Sequence, residues 1–199
     1  TQGKVVTVNT SNILLTMDTP AVDGVLNASE QGKTLTLTGS SSGLAEGSEV
    51  TITLNGKNYT ATVTGDRWTT TIPKADLALL TDGQRYTISV SAEDSAGNIG
   101  QAGQSLLVDT TPPEIIIAPV SGDGLLNALE QGQALVINGS TTAEAGRTLT
   151  LTVNGKSYTA TVNSDGSWQT TIPKADVALM GNGTIQVDAM VSDASGNLG

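Results

Sequence analysis

Apolar and polar residues alternate with a period of two in several short stretches of the chain. Residues 49–54, 58–64 and 85–93 carry this pattern, with aliphatic residues or tyrosine at every second position and mainly threonine or serine between them. Such alternation is typical of strands that have one face in a core and the other in water. Asn55-Gly56 separates the first two stretches and favours a type I′ hairpin turn, because both turn positions need positive φ.

The alternation predicts seven strands in the first half of the chain. Their expected ranges are 13–17, 33–38, 49–54, 58–64, 67–72, 85–93 and 102–108. A single helical turn is expected within residues 73–84, between the fifth strand and the sixth. Seven short strands in about a hundred residues are typical of an immunoglobulin-like sandwich, so the expected fold class is all-β.

The second half of the chain repeats the first. Residues 123–130 (DGLLNALE) match residues 23–30 (DGVLNASE) at an offset of 100, and Trp168 repeats Trp68 at the same offset. A unit of about a hundred residues is long enough to enclose its own core. We therefore predict two tandem seven-stranded domains, each with its tryptophan as a central core anchor.

The repeat also defines the expected domain boundaries. Residues 10–109 form the first immunoglobulin-like repeat and residues 110–199 the second. Residues 1–9 align with the last strand of the first copy, and are expected to be the last strand of a preceding repeat or an N-terminal strand. Pro112 and Pro113 are expected to hold a short linker in extended form, which gives an extended rod.

The second copy lacks a counterpart of residues 102–108, its expected last strand. The open edge that this leaves would pair with a strand from another chain. One hypothesis is a head-to-tail exchange in which residues 2–9 of one molecule complete the second domain of a neighbour. The alternative is that residues 1–9 extend the first strand of their own domain. Both arrangements are consistent with the sequence.

Composition excludes several classes of function. The 199 residues include 9 basic and 19 acidic side chains, a formal net charge of −10, and neither cysteine nor histidine. This charge is incompatible with a basic surface for nucleic acid. Without histidine or cysteine, Ser-His-Asp and Cys-His catalytic arrangements are impossible, and we expect no enzyme. No apolar run approaches the length that spans a bilayer.

Three oxygen-rich motifs recur. We call residues 23–30 and 123–130 the DGxLNxxE loops, and residues 94–98 and 193–197 the DxxGN loops. The third motif is the linker VDTTPP, whose acid is Asp109; its counterpart in the N-terminal segment is Asn9. The candidate metal ligands are Asp23, Asn27, Glu30, Asp94, Asn98, Asp109, Asp123, Asn127, Glu130, Asp193 and Asn197.

Oxygen ligands without histidine or cysteine suit Ca²⁺, which takes six to eight oxygens from carboxylates, amides, carbonyls and water. In a sandwich of alternating strand direction, the first DGxLNxxE loop, the linker and the second DxxGN loop are expected at the junction between the domains. A shared ion there would lock the two domains together. The ligands expected at this junction are Asp23, Asn27, Glu30, Asp109, Asp193 and Asn197.

A simpler interpretation is that Asp-Gly and Gly-Asn are only turn formers. It explains less well why Glu30 and Glu130 recur beside the turn residues. Asn9 is neutral and predicts a weaker site at the N-terminal end of the first domain. The expected affinity is that of extracellular modules, with a Kd of about 10⁻⁴ to 10⁻³ M.

Together these motifs resemble the bacterial immunoglobulin-like extender repeats of giant RTX-type adhesins, which Gram-negative bacteria secrete by the type I route. The VDTTPP, DGxLNxxE and DxxGN motifs carry the resemblance, and it covers both copies. It implies a calcium-rigidified stalk that projects terminal adhesive domains from the bacterial cell surface in cell adhesion and biofilm formation. The implied partners are neighbouring repeats of the same protein, with no nucleic acid and no direct membrane insertion.

Two other classes of function are alternatives to the stalk. A glycoside hydrolase could use paired carboxylates, but a catalytic site is expected once, whereas every candidate acidic motif occurs in both copies. A lectin-like or protein-binding module that contacts a host or surface ligand directly is the alternative. Such binding usually exposes aromatic rings, and Tyr59, Trp68 and Tyr86 occupy core-facing positions of the alternation. The non-repeating stretch 40–49 is where such a ligand would be sought.

Overall fold

The structure is a computed structural model that describes residues 3–199, so the first two residues of the predicted strand 1–9 lie outside it. The described residues form two compact units, one ending at Thr110 and the other comprising Thr111–Gly199. Both units are immunoglobulin-like β-sandwiches, and each encloses its own cluster of buried side chains. No helix in the described part of the chain is long and apolar enough to cross a membrane.

The first unit contains two sheets. Its strands are β1 (Leu14–Leu15), β2 (Val25–Leu26), β3 (Leu35–Ser42), β4 (Glu49–Leu54), β5 (Lys57–Thr62), β6 (Arg67–Ile72), β7 (Arg85–Glu93) and β8 (Ile99–Val108), and its helical turns are α1 (Ala28–Gln31) and α2 (Lys74–Leu77). One sheet has the order β1-β3-β6, and the other has the order β2-β8-β7-β4-β5. Neighbouring strands are antiparallel, except that β2 runs parallel to β8.

The period-two pattern locates most of these strands. The predicted ranges 49–54, 67–72 and 85–93 are the observed bounds of β4, β6 and β7. β1 is shorter than its predicted range, and β8 begins at Ile99, three residues earlier than expected. Alternation identifies β4, β6 and β7 best because each has one face against the core along its whole length.

The short strand β2 is absent from the prediction. It consists of Val25 and Leu26, which pair in parallel with Leu107 and Val108 of β8. Two residues are too few to show an alternation. β2 therefore depends on the edge that β8 offers and not on a local sequence preference.

The second unit has the same architecture with two named strands fewer, six instead of eight. Its strands are β9 (Ile115–Ile117), β10 (Leu135–Thr141), β11 (Thr148–Val153), β12 (Lys156–Thr161), β13 (Ser167–Ile172) and β14 (Val187–Met190), and its helical turns are α3 (Ala128–Gln131), α4 (Lys174–Val177) and the 3₁₀ turn Val120–Gly122. The sheets have the orders β9-β10-β13 and β12-β11-β14. Residues 111–199 contain no counterpart of β2. At the position of β8 they contain Leu198, which forms an isolated bridge with Ser192, and Gly199, whose N–H donates to the Val191 carbonyl at 3.0 Å.

Each core is built around its tryptophan, as the sequence predicts. Trp68 is 2% exposed and Trp168 is 1% exposed. The Trp68 Nε1–H donates to the Thr16 carbonyl at 3.1 Å. Gly39 lies directly against this indole: a Cβ at Gly39 would stand 2.5 Å from Trp68 Cε2. The absence of a side chain at Gly39 therefore makes room for the largest residue of the core.

Candidate functional site

The first DGxLNxxE loop is shaped by its own side chains. Asp23 Oδ1 accepts a hydrogen bond from the Val25 N–H at 2.9 Å, which turns the chain into β2. Gly24 between them has a φ of 85°, a left-handed conformation that glycine adopts without strain. The Asp-Gly pair of this motif is therefore a turn former, as the simpler interpretation of the sequence holds.

Asn27 and Glu30 form a capping box at the start of α1. Asn27 Oδ1 accepts from the Glu30 N–H at 3.0 Å, and Glu30 Oε2 accepts from the Asn27 N–H at 3.1 Å. This reciprocal pair satisfies two backbone donors that the helical turn leaves without partners.

The second copy repeats this capping box. Asn127 Oδ1 accepts from the Glu130 N–H at 3.1 Å, and Glu130 Oε2 accepts from the Asn127 N–H at 2.9 Å. Asp123 Oδ1 likewise accepts from the Leu125 N–H at 2.9 Å. The recurrence of the glutamate, which we expected to reflect calcium binding, thus has a local structural cause. The Asn-x-x-Glu spacing is a capping signature that the sequence already contains.

Asp109 follows β8 at the same end of the first unit as the DGxLNxxE loop. The Asp109 N–H donates to the Leu26 carbonyl at 3.1 Å, and the Leu107 N–H donates to the Gly24 carbonyl at 2.9 Å. The parallel pairing of β2 with β8 causes this proximity. The loop and the start of the linker are therefore neighbours within one unit.

The first DxxGN loop is closed by Asp94. Its Oδ1 accepts from the N–H groups of Ala96 and Asn98, both at 2.9 Å, and its Oδ2 accepts from Asn98 Nδ2 at 2.8 Å. These hydrogen bonds, above all those from Asn98, favour the ionised carboxylate and hold the pKa of Asp94 below its ordinary value.

Asn9 also contacts this loop. Its Nδ2 donates to Asp94 Oδ2 at 3.1 Å, and its carbonyl accepts from Asn98 Nδ2 at 3.3 Å. The repeat equivalent of Asn9 is Asp109. Asn9 therefore precedes the first domain as Asp109 precedes the second, and it lies against the DxxGN loop of that first domain.

The second DxxGN loop has the same internal hydrogen bonds. Asp193 Oδ1 accepts from the Asn197 N–H at 2.8 Å, and its Oδ2 accepts from Asn197 Nδ2 at 3.0 Å. Here both residues are buried, at 8% and 3% exposed. The loop is therefore a rigid element that holds an acidic side chain.

All the candidate ligands are carboxylates or amides, a donor set that fits Ca²⁺ chemically. Residues 3–199, however, contain no group of three or more His, Cys, Asp or Glu side chains that could hold a metal ion. The structure brings Asp94 together with Asn98, and Asp193 with Asn197, and places Asp109 beside the DGxLNxxE loop. Calcium binding by these residues stays a prediction.

The family model of the bacterial Ig-like domain matches residues 26–110, which are most of the first unit. The chain is 30% identical to a structure from a 1.5-MDa bacterial ice-binding adhesin studied for its retention on the host cell surface, with a TM-score of 0.59. It is 31% identical to a Ca²⁺-stabilised adhesin with which an Antarctic bacterium binds ice, with a TM-score of 0.61. The chain belongs to the bacterial immunoglobulin-like domains.

These similarities cover almost all of this chain but only part of the adhesin structures. The alignments include 96% and 93% of the chain, against 62% and 46% of the two adhesin structures. No curated protein matches the chain.

Both bacterial immunoglobulin-like units contain a further arrangement of side chains that is repeated in the chain and absent from the sequence predictions. In the first unit Lys57 Nζ lies 2.6 Å from Asp76 Oδ2, and the Tyr59 hydroxyl donates to the same oxygen at 2.9 Å. Lys156, Tyr158 and Asp176 form the same three-residue cluster in the second unit. The cluster connects α2 to the edge strand β5 in the first unit, and α4 to the edge strand β12 in the second.

The sequence contains a signal for this cluster in two repeated segments. NGKxYTATV occurs at residues 55–63 and 154–162, and TTIPKAD occurs at residues 70–76 and 170–176. Lys57 and Tyr59 belong to the first segment and Asp76 to the second. Their hydrogen bonds lower the pKa of Asp76, with Lys57 as the larger cause. The charges are paired at the surface, which supports a structural role and not a catalytic one.

We expect the three tyrosines to ionise in two groups. Burial, and then the Asp76 carboxylate, raise the pKa of Tyr59 to about 12. Burial, and then the Asp176 carboxylate, raise the pKa of Tyr158 in the second unit. The pKa of Tyr86 is lowered, because its hydroxyl oxygen accepts from the Thr81 N–H. Phenolate absorbance should therefore show one tyrosine titrating below the other two.

The same shift predicts a loss of stability at alkaline pH. Because folding raises the pKa of Tyr59 from 10.0 to about 12, its contribution is complete below pH 10 and is lost as the pH rises through about 12. In Tyr59→Phe, one late ionisation should disappear while the early one stays. Three phenols that titrate together near pH 10 would contradict the assignment.

Proposed function

We propose that the chain is a structural extender module of a secreted, cell-surface-anchored adhesin. In this proposal Ca²⁺ at the junctions between domains stiffens a tandem stalk, and the stalk projects terminal adhesive domains in cell adhesion and biofilm formation. The protein's location is then extracellular, on the bacterial surface, and its partners are neighbouring repeats. The similarities to adhesins support the proposal of an extender module. The contact between Asn9 and Asp94 supports the proposal of a calcium ion.

The contact between Asn9 and Asp94 is the observation that carries the calcium proposal. In the first unit an amide at the linker position donates to the carboxylate of the DxxGN loop at 3.1 Å. At the next repeat the linker position is Asp109 and the loop acid is Asp193. If the second repeat uses the local geometry of the first, two carboxylates replace an amide and a carboxylate. Two such groups side by side repel each other unless a cation lies between them.

The other end of the linker adds further oxygen ligands to this proposal. Asp109 is hydrogen-bonded through its backbone to Leu26, the residue before the capping box of Asn27 and Glu30. In this proposal Asp109 therefore belongs to two groups of ligands. One is the first DGxLNxxE loop, and the other is the second DxxGN loop with Asp193. An ion held by Asp109, Asp193 and the DGxLNxxE loop would restrict bending at the linker. The similarity to a Ca²⁺-stabilised adhesin agrees with this role.

No aromatic side chain favours the alternative of a lectin-like module. Trp68 and Trp168 are buried, and Tyr59 and Tyr158 are half-buried and bonded to aspartates. The hydroxyl of Tyr86 is bonded to the backbone of Thr81. The aromatic residues that could stack on a sugar are thus all engaged within the units, whereas the acidic loops are repeated as a stalk requires.

We expect calcium to stabilise and extend the chain. At a free concentration about a hundredfold above Kd, one ion that binds only the folded state adds about 2.7 kcal/mol to the free energy of unfolding. Calorimetry should show a higher melting temperature in calcium than in chelator. Small-angle scattering should show a larger maximum dimension, and isothermal titration should report binding.

Asp109→Asn tests the proposed ligand. It removes one carboxylate from the site, so the calcium-dependent gain in melting temperature should be lost or strongly reduced. Glu49→Gln is the matched control, because Glu49 is an exposed residue of β4 and the change in net charge is the same. Identical melting and scattering curves with calcium and with chelator would overturn the calcium proposal. An equal effect of both variants would show a general charge effect instead of a site.

A further inference from the structure

We propose that the outer face of the sheet β9-β10-β13 in the second unit binds a neutral saccharide. The site is a groove of about 420 Å³ on this face, a volume within the range of about 300–1,000 Å³ that is usual for small-molecule sites. It involves none of the acidic loops, so it goes beyond the extender role and does not depend on calcium. The equivalent face of the first unit, on β1-β3-β6, shows how the groove arises.

In the first unit an ion pair lies across this face. Arg67 Nη2 donates to Asp18 Oδ2 at 2.7 Å, and the Thr38 hydroxyl donates to the same oxygen at 2.6 Å. The hydroxyls of Thr16 and Ser40 are bonded to each other, also at 2.6 Å. The polar side chains at these five positions are therefore satisfied by one another.

The second unit cannot form this network, because four of its members are replaced. The strand register is the same, since Gly39 pairs with Trp68 and Gly139 with Trp168. At the offset of 100, charged and hydroxyl side chains are replaced by shorter, apolar or amide ones: Asp18 by Ala118, Arg67 by Ser167, Thr16 by Ile116 and Thr38 by Asn138. The loss of the long arginine and of its partner opens the groove.

The lining of the groove is polar but uncharged. None of its residues is acidic or basic, and three of them, Asn138, Ser140 and Gln169, have side chains that make no hydrogen bond within residues 3–199. Two amides and a hydroxyl offer both donors and acceptors. A ligand with many hydroxyl groups matches them, because each of its hydroxyls also donates and accepts. A charged ligand finds no opposite charge in this lining.

One end of the groove is held in place by its own hydrogen bonds. Asn163 Nδ2 donates to Ser167 Oγ at 2.9 Å, and the Ser167 hydroxyl donates to Asp165 Oδ1 at 2.6 Å. The bond from Ser167 is the main cause that lowers the pKa of Asp165, so this carboxylate stays ionised. An ionised carboxylate at this end disfavours an anionic ligand.

The groove also has an apolar wall, formed by Ile116, which is 62% exposed, and Ala118. A pyranose ring presents C–H groups on its face and hydroxyls at its edge, so an aliphatic wall beside amides suits it without aromatic stacking. The backbone of β10 is paired on both sides, with β9 and β13, so the groove offers mainly side-chain groups. This disfavours an extended peptide, which adds to a sheet edge through its main chain.

Trp168 belongs to the lining and contributes a donor without a partner. It is 1% exposed, and within the described residues its Nε1 makes no hydrogen bond. In the first unit the Trp68 Nε1–H donates to the Thr16 carbonyl at 3.1 Å. Buried polar groups in native proteins nearly always have a partner. An oxygen atom in the groove would supply one, so the Trp168 indole N–H is the natural reporter of occupancy.

The experiment is an NMR titration of the full isotope-labelled chain with the neutral disaccharides cellobiose and maltose. Chelator is present throughout, so that failure of this proposal and failure of the calcium proposal are distinguishable. With at least one of the two sugars we expect saturable shifts of the Trp168 indole and of the side-chain amides of Asn138 and Gln169. The Trp68 indole should not move. Digalacturonic acid, an acidic disaccharide, should cause no shift at the same concentration.

Ala118→Asp/Ser167→Arg introduces the ion pair of the first unit into the groove. It should weaken binding at least about tenfold, the effect of losing one hydrogen bond or more. We expect it to fold like the parent chain, because the first unit has the same pair on the same sheet. As a second variant, Asn138→Thr replaces a single ligand-binding amide by the residue of the first unit and should also weaken binding.

Thr150→Asp/Thr159→Arg is the matched control. Thr150 and Thr159 lie opposite each other on β11 and β12, so the same two charges are introduced on the other sheet. This variant should bind the sugar like the parent chain. The proposal is overturned if neither sugar causes a saturable shift, or if the acidic disaccharide binds equally well. Equal shifts of both indoles, or equal weakening by the control and the groove variant, also overturn it.

Discussion

Gly39→Ala is expected to lower the free energy of unfolding of the first unit by about 3 kcal/mol or more, at the upper end of the range for overpacked cores. The new Cβ would stand 2.5 Å from Trp68 Cε2 and closer still to the Thr16 carbonyl oxygen. Neither neighbour can move easily. Thr16 accepts the indole hydrogen bond and is bonded through its backbone to Ser40, and Trp68 is held on all sides by the core.

Thermal unfolding measures this effect, and the melting temperature of the first unit should fall by on the order of 10–20 °C. Gly32→Ala is the control in the same unit. A Cβ at Gly32 would meet only ordinary contacts at 3.6 and 3.7 Å, and its φ of −73° suits alanine. Similar melting temperatures for the two variants would show that β3 can shift to admit a methyl group. Gly139 lies against Trp168 in the same way, so the second unit offers an independent repetition.

The role of Gly39 illustrates what the sequence could and could not predict. Alternation locates β4, β6 and β7, and the Asn55-Gly56 turn has the two positive φ angles, 50° and 76°, that the sequence predicts. These features depend on neighbours in the chain. The contact of Gly39 with Trp68, and the pairing of β2 with β8, depend on residues far apart in sequence. A single sequence contains no local signal for them.

The features of the candidate site also differ in whether they depend on neighbours in the chain or on residues far apart in sequence. Composition and repetition identify the acidic loops and the chemical class of ion that would suit them. The role of Glu30 depends on local geometry, and the signal for it was present, because Asn27 precedes it at the spacing of a capping box. Attributing the glutamate to a metal alone overlooks the backbone N–H groups that every helical turn must satisfy. The stronger support for an ion comes from Asn9 and Asp94, whose contact appears only in the folded unit.

A stalk of tandem modules requires that each module fold around its own core. The buried clusters of the two units meet this requirement, because each contains its own tryptophan and residues from that unit alone. Removing one tryptophan should therefore destabilise one unit.

Trp168→Ala should lower the free energy of unfolding of the second unit by about 3–5 kcal/mol, the usual cost of truncating a buried tryptophan. Within the described residues Trp168 Nε1 has no hydrogen-bond partner, so the loss comes from the cavity alone. Trp68→Ala also removes the bond to Thr16 and should cost its own unit more. Because Trp68 is then the single remaining tryptophan, its fluorescence reports the first unit, while far-ultraviolet circular dichroism reports both. The fluorescence midpoint should stay at the parent value while the dichroism shows an earlier second transition. If the fluorescence midpoint fell together with that transition, the units would unfold as one body, and the module would be the pair of domains instead of the single domain.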